Sequence, residues 1–75
     1  MDDYLDATNA AYEMQALQSK FQSSIDDTDS LAGKKELTKV MNEQLGILEK
    51  QLEDGQMLTQ YDIDRANKVY ELTLK

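Results

Sequence analysis

The chemistry open to this chain is limited first by what it lacks. None of its 75 residues is His or Cys. A Ser or Thr hydroxyl therefore has no imidazole to activate it, and no thiolate can take its place as nucleophile. Acid–base work would fall to the 15 carboxylates. That work needs two of them held in a pocket that drives their pKa values apart. Asp62 and Asp64 are close in sequence, but residues two apart on a helix project to different faces. The remaining acids fall at positions that read as solvated. No catalytic residue is assigned, and the chain reads as non-enzymatic.

The densest acidic run, Asp26-Asp27-Thr28-Asp29-Ser30, invites a calcium reading. A calcium loop of the helix–loop–helix type needs oxygen ligands at alternate positions, Gly at the sixth and Glu at the twelfth. Counting from Asp27, the fifth position is Leu31 and the sixth Ala32; counting from Asp26, the sixth is Leu31. Both registers fail, and the run reads as a solvated turn that caps helices. Zinc lacks its usual ligands. Gly33-Lys34-Lys35 is a lone Gly before two cations, short of the Gly-rich loop that cradles a phosphate. No metal, cofactor or small-molecule substrate is expected. Met14, Met41 and Met57 stand at apolar positions and read as core filler.

The aromatic residues carry a different signal. There are four Tyr and one Phe. Tyr is enriched at protein interfaces because an apolar ring ends in a polar tip. Tyr12, Tyr61 and Tyr70 cannot all face one small core, so at least one is expected to meet a partner.

The elements that place these residues are helical. Pro is absent and Gly occurs three times, while Ala, Leu, Glu, Gln, Lys and Met, all helix formers, are abundant. A first helix is expected over about residues 3–25, capped by Asp2 or Asp3. Ala7, Ala10, Met14, Leu17 and Phe21 repeat with 3,4,3,4 spacing, the seam of a coiled coil. Ala11 and Ile25 widen that stripe, and Tyr4 and Tyr12 lie towards its edges. A tight turn follows, with Asp29 or Ser30 as the next N-cap. The second helix is expected over about 31–54, with Leu37, Val40, Met41, Leu45, Leu48 and Leu52 as its stripe. Gly46 within it reads as a close helix–helix contact. Gly55 suits the left-handed position after the helix.

The third helix, about 60–74, has the clearest start. Thr59 and Asp62 form a capping box, and Leu58 and Ile63 a hydrophobic staple. Asp64 with Lys68, and Glu71 with Lys75, are acid-first i,i+4 pairs. Ile63, Ala66, Tyr70 and Leu74 share one narrow arc. Tyr61 and Leu72 lie nearly opposite, with Val69 between. One stripe can pack on the other two helices; the second would stay exposed, as interface stripes do.

The expected fold is all-α: an antiparallel hairpin of two long helices plus a shorter third, a three-helix bundle or coiled-coil-like arrangement over residues 1–75 as one domain. Its expected core is Ala7, Met14, Leu17, Phe21, Leu37, Met41, Leu45, Leu48, Leu52, Ile63, Ala66 and Tyr70.

Charge and length narrow the partners. The formal net charge is −7. Residues 1–30 carry seven acids against Lys20 alone, residues 31–54 five acids against four bases, and residues 55–75 three of each. The acidity argues against nucleic acid and against anionic membranes. The Met1-Asp2-Asp3 start lacks the basic region of a secretory leader, and no apolar run reaches the ~20 residues of a membrane span. A cytoplasmic or assembly-bound location is expected. A chain this short hides only about 60% of its unfolded surface, and without disulfides or metal a partner chain is the remaining source of stability.

Leu48 and Leu52 before the turn at Gly55, then Gln60-Tyr61, Ala66 and Val69, resemble the helical-hairpin co-chaperones of type III secretion needle subunits over residues 45–72. That resemblance implies a small secretion-type chaperone that holds a polymerising client. Residues 61–75 also resemble helical segments of phage and virus-particle structural proteins, which implies an assembly scaffold. The residues themselves point to a non-enzymatic interaction module with an assembly or adaptor role. Its partners would be protein helices, a second copy or a heterologous chain, bound through Tyr61, Val69, Leu72, Tyr12 and Tyr4.

Overall fold

A computed structural model describes residues 4–74. It contains three helices, α1 (Ala7–Asp27), α2 (Leu31–Glu53) and α3 (Gln60–Thr73). At 1.5 Å per residue the two long helices run about 32 and 35 Å. They pack most closely on each other, and α3 lies across both. No helix among the described residues is long and apolar enough to cross a membrane.

The first helix starts later than its periodicity suggests. Asp2 and Asp3 lie outside the described residues. The N-cap is Asp6, whose side chain accepts from the Asn9 amide at 2.7 Å. Tyr4 and Leu5 cannot be helical because their backbone is used elsewhere. Leu5 N–H donates to the Leu58 carbonyl at 2.8 Å, and Tyr4 forms an antiparallel bridge with Thr59. The helix also ends later, at Asp27, because its last carbonyls find partners. Thr28 Oγ1 donates to Ser24 O at 2.7 Å, and Lys34 Nζ reaches Ile25 O at 2.9 Å. The turn to α2 shrinks to Thr28, Asp29 and Ser30.

Ser30 caps α2 through the Gly33 amide. A Cβ on Gly33 would stand 2.7 Å from Thr28 Cγ2, so a larger residue there would have to displace the Thr28 side chain in the tight turn. Gly55 closes α2 at φ 79. Its amide donates to Leu52 O, and the Gln56 amide to Gln51 O at 2.9 Å, the paired bonds of a Schellman cap. The capping box of α3 forms in full. Thr59 N–H donates to Asp62 Oδ2 at 2.9 Å, and Asp62 N–H donates back to Thr59 Oγ1 at 3.2 Å. Leu58 and Ile63, the staple pair, are both wholly buried.

The core contains Ala10, Leu17, Phe21, Ile25, Leu37, Met41, Leu48, Leu58, Ile63 and Ala66. Met14, Leu45 and Tyr70, expected there, are half-buried at its rim together with Leu5 and Val40. Two expectations fail. Ala7 is exposed, because the chain turns away into the Tyr4 bridge and Leu5 covers that end of the core instead. Leu52 is exposed as well; the cap at Gly55 reverses the chain, and Leu58 enters the core from the loop.

Gly46 is not a close contact between helices. It is exposed, and a Cβ built on it meets nothing within 4 Å. Replacing it with Ala removes backbone entropy from the unfolded chain at no steric cost. Gly46→Ala should therefore raise stability by up to ~1 kcal/mol in urea titration. Thr59→Ala should lower it by about 1 kcal/mol in the same assay, since it removes the α3 cap.

Candidate functional site

The docking of α3 decides which residues remain outside. Tyr70 is the anchor. Its ring meets Phe21 edge-on, with centroids 4.8 Å apart and planes at 75°. Its hydroxyl donates to Lys20 O at 3.2 Å and lies 2.7 Å from Ser24 Oγ. In the second bond either hydroxyl can be the donor. Lys20 Nζ adds a bond to Asn67 Oδ1 at 2.8 Å, from the same stretch of α1 to the same flank of α3. These bonds set the rotation of α3 about its own axis. Ile63 and Ala66 turn inward, and the opposite arc turns to solvent.

That outer arc holds Tyr61, Arg65, Lys68 and Leu72, at i, i+4, i+7 and i+11. All four are exposed, Tyr61 by 70% and Leu72 by 55%. The two apolar ends stand three turns apart, about 16 Å. Between them the surface is cationic. The Arg65 guanidinium sits 5.9 Å from the Tyr61 ring centre, within cation–π range. It also lies 3.7 Å from Asp62 Oδ1. The head group lies over the helix and its side chain stays 47% exposed.

Asp62 is not a solvated acid. It is 9% exposed, with Oδ2 bonded by the Thr59 amide and hydroxyl. Its partners are those of a helix cap. Asp64 points elsewhere and accepts from Gln60 Nε2 at 3.0 Å in place of the expected Lys68. Lys75, the expected partner of Glu71, lies outside the described residues. The groove between α1 and α3 is open and lined by Lys20, Asp64, Asn67, Lys68 and Glu71. It mixes both signs of charge and contains no buried reactive pair. Among the described residues no group of three or more acids is placed to hold a metal ion.

The five residues named from the sequence do not form one patch. Tyr61 and Leu72 share the outer arc of α3. Val69 is half-buried on the flank of that helix. Tyr12 is 69% exposed on the outer face of α1. Tyr4 is exposed beside Thr59, where its backbone bridge ties it to the start of α3. Leu74, expected on the inward stripe, is exposed because the helix reaches its C-cap there. Arg65 and Lys68 were not singled out, yet they lie on the same arc. Their i+4 and i+7 spacing from Tyr61 is the signal that finds them.

The chain is thus an all-α protein of two long helices and a shorter third. Comparison with protein-family models, curated proteins and solved structures gives no match for it.

The hydroxyl of Tyr70 is the testable part of this docking. Tyr70→Phe keeps the edge-on ring contact but leaves Lys20 O and Ser24 Oγ without that partner. Thermal or urea unfolding should show a loss of about 1 kcal/mol, with little change in helicity.

Proposed function

We propose that this chain is a non-enzymatic helical interaction module, with an assembly or adaptor role, that docks protein helices through the outer arc of α3. The observation that carries the reading is the pairing of opposite faces on one short helix. Ile63 and Ala66 are buried on one side while Tyr61 and Leu72 are exposed on the other. Single exposed apolar residues are ordinary on protein surfaces. An aligned aromatic and leucine three turns apart, bracketing two cations, give one helix face two apolar ends and a charged middle. Tyr and Arg are also the residue types that most often carry binding energy. Tyr12 and Tyr4 supply further exposed aromatic surface on α1 and just before it.

Leu72→Asp tests this reading. The position is exposed, so folding stability should stay within about 0.5 kcal/mol of the parent. A charge at an apolar anchor should weaken association at least tenfold. Sedimentation reports self-association, co-purification from the source organism reports a foreign partner, and circular dichroism checks that the helices persist. Survival of both association and helicity would show that this arc is not an interface.

A further inference from the structure

α2 carries a second stripe with the same spacing and the opposite charge. Glu36, Val40, Glu43 and Ile47 fall at i, i+4, i+7 and i+11, within an arc of about 60°. Glu36, Glu43 and Ile47 are exposed, and Val40 is half-buried. This arc lies on the flank next to α3, since one groove is lined by Glu36 and Leu37 from α2 and by Thr73 and Leu74 from α3. On α3 the side facing α1 is marked by Asn67 and Lys68, which line a groove with Lys20, so the α2 side of the outer arc is its Arg65 and Leu72 edge, which forms one surface with the α2 stripe.

Heights along the two helices follow from the same groove. The start of α3 follows the end of α2 in the chain, and the end of α3 (Thr73, Leu74) shares a groove with the start of α2 (Gly33, Glu36), so the two helices run antiparallel. With that groove as the reference and equal rise per residue, Glu43 falls within about a turn of the height of Arg65, and Ile47 within about a turn of that of Tyr61.

We infer that this surface pairs with a second copy of the chain about a two-fold axis parallel to α2 and α3. Such an axis preserves height and lays α3 of each copy on α2 of the other. Arg65 then meets the partner's Glu43, and Tyr61 meets the partner's Ile47. The partner is identified by complementarity: a two-fold interface must match itself, and these two stripes match each other. Stacking α3 on its own copy would instead oppose Arg65 and Lys68 with the same two cations. The face spans only one short helix pair, so the buried area stays below the ~1,200 Å² of standard complexes, and the dimer is weak and reversible. The inference rests on the outer arc of α3 being an interaction surface, and it names the occupant.

Sedimentation equilibrium of the full chain from about 10 μM to about 1 mM should show reversible dimerisation driven by mass action. Glu43→Lys and Arg65→Glu should each weaken the dimer about tenfold, and the double variant should recover most of the loss, because each changed residue meets its changed mate across the interface. Glu49→Lys, on another arc of α2, should change nothing. A chain that is monomeric throughout, a dimer indifferent to Glu43→Lys, or a double variant with no recovery overturns the pairing. If the chain is monomeric but Leu72→Asp abolishes capture of a foreign protein, the pairing is wrong and the binding role stands. If it is monomeric and Leu72→Asp changes nothing, both are wrong.

Discussion

The small core where α3 meets the α1–α2 hairpin is the constraint from which the surface follows. Leu17, Phe21, Leu48, Leu58 and Ile63 lose essentially all exposure there. They come from α1, α2, the connecting loop and α3, so none of these elements can rotate independently. Tyr70 then sets the orientation of α3 by ring contact and hydroxyl bonds to α1. Burial of these side chains is the main favourable term in so short a chain. Polar contacts at the helix ends contribute direction more than energy.

The same economy explains the exposed surface. A domain of this size cannot cover all of its apolar side chains. Several of those left out sit at ends: Leu31 opens α2, Leu52 is in its last turn, Met57 is in the loop, and Leu74 caps α3. Their exposure follows from where the helices stop. Ile47 lies well inside α2, and Tyr61 and Leu72, in the first and last turns of α3, differ from the others in sharing one arc that also bears charge. These aligned residues are the ones on which the proposed binding role rests.

Charge is distributed to match. Asp6 caps α1, while α3 gathers Arg65 and Lys68 on its outer arc. A chain of net charge −7 repels its copies at long range, but that repulsion is screened within about a Debye length. Short-range pairing of opposite stripes can therefore act where the net charge alone would predict separation.

Much of the architecture was legible in the residues alone. The number of helices, the α2 boundaries, the capping box at Thr59, the glycine cap at Gly55 and the two-faced character of α3 depend on neighbours a few positions apart. Local hydrogen bonding and helical periodicity determine them. Other features depended on residues far apart in sequence. Leu58 pairs its carbonyl with Leu5, which shortens α1, displaces Ala7 from the core and leaves Leu52 outside. Gly46 proved open because no helix passes it. The candidate site divides the same way. Periodicity alone put Tyr61 and Leu72 on one exposed arc, since side-chain direction repeats with the helix. Which flank of α2 lies beside that arc was decided by tertiary packing, because the rotation of one helix against another is set by side chains that no local spacing reveals.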